Sequence, residues 1–521
     1  MRSREELLED LNNTPQWDVI VIGGGASGLG IAVDSVTRGY KTLLLEQLDF
    51  AKGTSSRSTK LVHGGVRYLA QGNIDLVKEA LYERGLMLRN APHLVHDQSF
   101  IIPNYRWWDK LFYVIGLKVY DFLSGKLSFG KSKGISKKNT IRRLTTLKIA
   151  HLKGGVVYHD GQFDDARLAL NLAQTGIENG ATILNYCKVT GLQKDAEGKV
   201  NGVHMIDAES GGEYQLSGKV IINATGVFTD EILQLDNAAA KPMVRPSQGI
   251  HLVVDQHFLP GNDAIMIPKT SDGRVLFLVP WHDKVIIGTT DTLLDSHSLE
   301  PKPLDKEVDF ILETANLYLS KPLRRSDVRS VYAGLRPLAA PKDKSAKTKE
   351  ISRSHKVIVA ASNLITITGG KWTTYRRMAQ DTMNKAIAVG NLPPAKCQTK
   401  TLAIHGAKTP VNQGAHWSIY GTDAAGLSQL IKAQPELGEK IHPQLNFLKA
   451  EVVWAIQHEM ARTIEDVLAR RVRMLFLNAK AAVESAPFVA EILGRELGKD
   501  SAWQHAQIEE FNALASQYQL T

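Results

Sequence analysis

The clearest hydrophobic pattern in the chain lies at residues 17–47, WDVIVIGGGASGLGIAVDSVTRGYKTLLLEQ. A short apolar run, VIVI, breaks at glycines. A segment follows with Ala, Leu and Ile on one helical face, and then a second apolar run, KTLLLE. This pattern predicts β-turn-α-β, the opening of a doubly wound parallel sheet. Residues 73–91 have helical spacing. Residues 181–193 and 199–226 read as a strand, a hairpin and a strand. Between 250 and 360 many short apolar runs, IHLVV, RVLFLVP, KVIIGTT and KVIVAAS, are broken by Gly, Pro and Asp. They predict a mostly antiparallel β domain. After AIAVGNLPPAKCQ the period turns helical through FLKAEVVWAIQHEMA and TIEDVLARRVRMLFLNAKAAVESAPFVAEILGRELG. A C-terminal helical domain is expected over 390–521. No internal repeat stands out.

The glycines in the first break have the spacing Gly23, Gly25, Gly28. The first makes a tight turn, the second lets backbone approach a pyrophosphate, and the third allows helix to pack on strand. The helix N-terminus then offers N–H groups to phosphates. Glu46 follows at the end of the second strand, where an acid accepts a ribose hydroxyl. Two further stretches favour FAD over NAD. IINATG (221–226) is a strand ending in small residues, and ITITGGKWTTYR (365–376) runs from a strand into Gly369-Gly370 and a helix. A helix N-terminus there favours the negative charge of a reduced flavin. These motifs are scattered from residue 21 to 373, so two domains must be interwoven. The fold class expected is α/β: a Rossmann-like FAD-binding domain (15–90, 150–230, 355–389) interleaved with an antiparallel β substrate domain (91–149, 231–354), plus the helical domain.

Composition narrows the classes. The chain has 521 residues, 43% hydrophobic and 22% charged, as an ordinary globular protein has. With two cysteines, Cys187 and Cys397, a disulfide framework is not expected, and a reducing cytosol is. MRSREELLEDLNNTPQWD has no apolar core of a secretory signal, and no run of about 18 apolar residues could span a bilayer. The net charge of +9 is uneven: residues 122–153 carry nine Lys or Arg and no acid. Such a stretch is a solvated loop or a surface for a membrane, a nucleic acid or an anionic substrate. Neither a helix-turn-helix nor an RNA-binding signature accompanies it, so nucleic acid is not expected. Zinc-type cysteine spacing is absent, so no metal is expected.

Residues 56–65, SRSTKLVHGG, are too polar and too glycine-rich for a core element. Together with GGGASGLG, GGVRYL, NATG, AGLRPL, GGKWTTYR and the C-terminal TIEDVLARRVRMLF, they occur in the order found in FAD-dependent glycerol-3-phosphate dehydrogenases. The chain resembles that family, within the flavoproteins that are similar to D-amino-acid oxidase. The resemblance covers nearly the whole length. It implies oxidation of sn-glycerol 3-phosphate to dihydroxyacetone phosphate by hydride transfer to FAD. There is no room for the mid-chain insertion of the related oxidases, so a dehydrogenase is favoured. The alternative is a glycerol-phosphate oxidase, or an amine or amino-acid oxidase of the same fold, using oxygen.

The resemblance also implies site residues. Arg336 in AGLRPL suits bidentate contact with the substrate phosphate, with Arg353, Lys371 and Arg57 as further cations. His63 and His251 compete as the base that takes the hydroxyl proton. The catalytic set expected is therefore His63, His251, Arg336 and Lys371. The cofactor set is Gly23, Gly25, Ser27, Gly28, Glu46, Thr54, Ser55, Ser58, Thr59, Leu61, Val189, Gly226, Gly370, Lys371, Trp372 and Thr373.

PNYRWWDKLFYVIGLKVYDFLSGKL (103–127) mixes aromatic and basic residues, a composition suited to the bilayer interface, and the basic stretch after it would strengthen adhesion to anionic lipid. The family reading is a peripheral enzyme on the inner face of the cell membrane that hands electrons to a quinone. A homodimer is allowed.

Overall fold

The computed structural model describes residues 2–69, 72–339, 354–407 and 417–520. Its first sheet is built on the strand Trp17–Ile22, which is buried on both faces and therefore reads as a continuous apolar run. That strand pairs in parallel with Thr42–Leu45 on one side and Glu213–Asn223 on the other. Thr182–Leu184 extends the sheet beyond Thr42–Leu45, and Ile365–Thr368 extends it beyond Glu213–Asn223. Lys356–Val359 adds an antiparallel edge. Cys187–Lys194 and Val200–Asp207 form a hairpin leading into Glu213–Asn223. The helix Ala26–Thr37 packs against Asp165–Glu178 and Tyr375–Val389.

The second sheet is mostly antiparallel. Val244–Asp255 pairs with Lys284–Gly288 and with Val328–Ala339, and the sheet continues through Leu276–Trp281, Ala264–Ile267, Val95–Asn104 and Gly154–Phe163 to the two-residue strand Leu61–Val62. The two sheets exchange the chain repeatedly, which is why the nucleotide motifs are far apart in sequence. Gly154–Phe163 belongs to the second sheet, so the chain re-enters the first at helix Asp165–Glu178. One helix, Asp305–Asn316, lies where only short strands were expected. Val308, Ile311, Leu312 and Ala315 have helical spacing and cover the second sheet's core.

The C-terminal region is helical: Ala424–Ala433, Lys449–His458, Ala479–Leu497 and Ser501–Ala515 surround a separate apolar core. A π-helical turn, Asp466–Arg471, faces the nucleotide sheet and buries both Arg470 and Arg471. The aromatic stretch forms the helix Trp107–Ser124. Leu117 and Tyr120 are buried, whereas Trp107, Phe112 and Phe122 are 73%, 67% and 84% exposed. Within the basic stretch, a strand Lys133–Ser136 and a helix Lys137–Arg143 follow. Among the described residues no helix is long and apolar enough to cross a membrane.

Candidate active site

Gly23 leaves the first strand with φ +109°, a conformation that L side chains rarely adopt. A Cβ on Gly28 would lie 1.8 Å from the Gly23 carbonyl oxygen, so the helix can begin this close to the strand only with glycine there. Glu46, at the end of the neighbouring strand, accepts the Gly24 N–H at 2.6 Å and the Leu48 N–H at 3.0 Å. Burial pushes its carboxyl above the usual range, and the two amides pull it partly back. Ser55 Oγ accepts the Ala26 N–H at 2.9 Å, so the polar strip touches the first turn of the helix.

These residues open a cavity of about 450 Å³. Gly23, Gly25, Ser27, Glu46, Thr54, Ser55, Val189, Gly226, Gly370, Lys371 and Trp372 line it, eleven residues of the expected cofactor set. Gly369 and Gly370, with φ +75° and +83°, turn the chain over its far side. Small residues where an extended dinucleotide must pass close to backbone, and an acid at the ribose end, fit FAD. Gly28 serves from behind, by letting helix meet strand. Ser58, Thr59, Leu61 and Thr373 are not among the lining residues. Leu61 is buried in the second sheet, paired with Gln162.

The strip 54–65 runs from this cavity to the second sheet. Thr54 Oγ1 donates to the Leu335 carbonyl at 2.6 Å, and Trp372 Nε1 donates to the Ser55 carbonyl at 2.8 Å. Thr59 Oγ1 lies 2.8 Å from His251 Nε2. The His63 N–H donates to Thr373 Oγ1 at 3.3 Å. Each end of the strip is thus tied to the element that carries one of the expected site residues. Ser58 turns the other way and gives its N–H and hydroxyl to Asp165, at 3.0 and 2.7 Å.

His251 is buried on the strand Val244–Asp255, stacked on Tyr332 with ring centroids 4.8 Å apart. Its Nδ1 has no hydrogen-bond partner among the described residues. Burial, and then the charges of Lys60 and Arg336, hold the ring well below the usual histidine pKa, so it is neutral at physiological pH. Arg336, on the adjacent strand, lies over Gly249, where a Cβ would come within 2.4 Å of the guanidinium. It donates to Thr289 Oγ1 at 3.2 Å and the Thr290 carbonyl at 3.1 Å, and Asp291 stands 3.6 Å away.

Arg57, expected as a further cation for the phosphate, is engaged within the protein. It is buried, and it donates to both oxygens of Glu300 at 2.7 Å and to the Ala333 carbonyl at 3.3 Å. Tyr518 from the C-terminal region donates to the same Glu300. Through this bidentate contact Arg57 clamps the strip to residue 300. Arg353 lies outside the described residues.

Behind the strip lies a group of charges absent from the sequence reading. Asp165 accepts from Lys60 Nζ at 2.7 Å and from Arg473 at 3.0 Å. Asp49 accepts from Arg470 and Arg471. The signal for these was the run RRVR (470–473) in an otherwise apolar segment, together with adjacent acids at 164–165. Four such charges cannot stay buried without partners.

The chain matches the FAD dependent oxidoreductase family over residues 18–376 and the family described as the C-terminal domain of alpha-glycerophosphate oxidase over 362–504. It is 42% identical to the probable mitochondrial glycerol-3-phosphate dehydrogenase of Caenorhabditis elegans over 538 residues, covering 97% of this chain and 74% of that protein. The mitochondrial glycerol-3-phosphate dehydrogenase of Homo sapiens is 40% identical over 542 residues, with the same coverage. The structure of the glycerol-3-phosphate dehydrogenase from Bacillus halodurans complexed with FAD superimposes with a TM-score of 0.81 at 29% identity, covering 99% of this chain and 97% of that one. L-alpha-glycerophosphate oxidase from Mycoplasma pneumoniae, at 18% identity and a TM-score of 0.55, shares the fold. Similarity of this extent, carried through both the nucleotide half and the helical end, means that the chain belongs to the FAD-dependent glycerol-3-phosphate dehydrogenases, within the D-amino-acid-oxidase-like flavoproteins.

Proposed function

We propose that this chain oxidises sn-glycerol 3-phosphate at C2 to dihydroxyacetone phosphate and passes the electrons to a membrane quinone. The observation that carries the reading is the pair of His251 and Arg336 on adjacent strands, next to Pro337 of the cavity wall. A neutral base and a planar cation on one face of two adjacent strands, with Gly249 between them, suit a small hydroxylated phosphate ester.

Bound FAD supplies the two-electron, hydride-accepting group. Arg336 holds the phosphate by its guanidinium, whose place over Gly249 is kept by Thr289 and Thr290. With the Nε2–H of His251 donating to Thr59 Oγ1, the lone pair lies at Nδ1, which takes the C2 hydroxyl proton. His63 sits at the opposite end of the strip, beside Thr373, and helps to orient the hydroxylated end of the substrate. Lys371, in the cavity wall, adds positive charge on the flavin side. Arg353 remains a second candidate for the phosphate.

The quinone reading draws on the helix Trp107–Ser124. Its exposed face, Trp107, Trp108, Leu111, Phe112, Ile115, Val119 and Phe122, is larger than a solvated helix carries, and the basic strand and helix at 133–143 follow it in the chain. An enzyme lying on an anionic leaflet by this face can reach a lipid-soluble acceptor. The location proposed is peripheral, on the inner face of the cell membrane.

Anaerobic addition of sn-glycerol 3-phosphate to the yellow protein tests the reaction. Bleaching of the visible flavin band is expected. Persistence of the band, with bleaching by an amino acid or amine, would overturn the reading. A short-chain quinone should then restore the band faster than oxygen does; if oxygen is the faster, the oxidase alternative stands.

A further inference from the structure

Lys60 is fully buried and lies in the strip, one residue from Thr59. Its ammonium donates to the Ser56 carbonyl and to Asp165, both at 2.7 Å. Three rings surround it, Trp281 at 5.4 Å, Tyr332 at 5.2 Å and Phe476 at 5.3 Å from Nζ to the ring centroid. Tyr332 is also the ring on which His251 stacks, and its hydroxyl donates to the Ser58 carbonyl at 3.0 Å. The residues that touch His251, Thr59 on its Nε2 and Tyr332 on its face, are therefore both held through the segment that Lys60 pins. Nothing in binding FAD or phosphate calls for this cation.

We propose that Lys60 is a positioning residue for His251: its caged ammonium locks the 56–60 segment so that Thr59 fixes the imidazole tautomer, and it places a positive charge beside Tyr332 that disfavours a second positive charge on the imidazole. The proposal rests on the reading of His251 as the base. The charged groups bearing on His251 are Lys60 from the strip and Arg336 from its neighbouring strand. Asp165, Arg473 and Asp164 surround the first, and Asp291 stands beside the second. Tyr332, the stacked ring, titrates well above its usual range because it is buried. Burial, only partly offset by Asp165, brings Lys60 down to about 7, so it carries its charge across the acid range in which His251 would protonate.

The test follows anaerobic flavin reduction by glycerol 3-phosphate against pH. Removing the cation in Lys60→Met makes His251 easier to protonate, and the acid limb of the rate should move to higher pH by about half a unit or more. Lys60→Arg, which keeps the charge, should leave the limb near its parental position. Lys60→Gln, neutral but able to keep a hydrogen bond to Asp165, should move the limb as Lys60→Met does. Flavin content and the substrate's apparent Kd, read in the same titrations, should stay near parental values in Lys60→Met. A limb that stays in place in Lys60→Met, or that moves as far in Lys60→Arg as in Lys60→Met, overturns the proposal. If Lys60→Met fails to take up flavin, an unmoved limb in Lys60→Gln overturns it alone. His251→Asn separates the two readings. If it reduces flavin at the parental rate, the base assignment fails and takes this proposal with it. If it is slow while the Lys60 limb is unmoved, only the role of Lys60 is lost.

Discussion

Asp49 accepts hydrogen bonds from Arg470 and Arg471, two consecutive arginines of a π-helical turn, and all three side chains are buried. Burial raises the Asp49 carboxyl, but Arg471 and Arg470 outweigh it and bring the net shift below the usual range. One carboxylate next to the nucleotide turn thus fastens the helical end of the chain to the FAD-binding sheet. Asp49→Ala would strip Arg471 of its carboxylate partner, while Arg470 keeps Glu465 and Asp466. A loss of roughly 3–5 kcal/mol is expected, because breaking a buried pair leaves its partner uncompensated. Denaturant unfolding with flavin fluorescence would report both the lower midpoint and earlier FAD release; an unchanged midpoint contradicts this.

Gly28→Ala should give a folded but colourless protein. The added methyl would sit 1.8 Å from the Gly23 oxygen, so the glycine turn must open and lose its grip on the pyrophosphate. Gly116→Ala, in the helix Trp107–Ser124 with nothing within 4 Å of the new Cβ, is the control and should keep its flavin. The ratio of visible to protein absorbance after purification reads both.

Arg336→Lys keeps charge and loses the fork. A drop in kcat/KM of about 10- to 100-fold for glycerol 3-phosphate is expected, the worth of one to two charged hydrogen bonds. Steady-state kinetics with an artificial acceptor gives the answer, and parental kcat/KM would remove Arg336 from phosphate binding.

His405 lies between Asp423 at 2.9 Å and Glu178 at 2.6 Å. Burial lowers its pKa, yet the two carboxylates outweigh this and raise it to about 9. A group raised in the folded state adds stability that is full below its unfolded value of about 6.5 and fades as pH rises through the folded value. Melting temperature should therefore fall between pH 6.5 and 9, and this fall should be smaller in His405→Gln. Equal slopes for the two proteins would contradict the assignment.

The exposed face of Trp107–Ser124 is predicted to hold the protein on lipid. Leu111→Ser with Phe112→Ser and Ile115→Ser should abolish co-sedimentation with anionic vesicles at low salt while leaving flavin reduction in solution intact, since all three side chains point away from the core. High salt should release the parent protein, because the basic stretch contributes through counterions. Salt-insensitive failure of the parent to bind sinks the idea.

Much of the site was legible because backbone demands specify residue types. Gly23 is dictated by φ and Gly28 by close contact, and Glu46 by the end of a strand; such constraints are local and survive as spacing. The helix Asp305–Asn316 was not legible because it is short, flanked by Pro301, Pro303 and Pro322, and set among runs that read as strands. The ion pair of Arg57 was illegible for a different reason. Its neighbours in sequence are polar and its partner, Glu300, is 243 positions away. No local pattern reveals that its charge is already satisfied.

The sequence by itself determined the dinucleotide turn, the interweaving of two sheets and the helical end. These follow from short-range sterics and hydrophobic period. Only the tertiary structure decided that Thr59 meets His251, that Arg57 is spent on Glu300, and that Lys60 and Arg473 share Asp165 behind the site. Burying a charge demands a partner, and the partner is supplied by whichever distant segment the fold brings alongside.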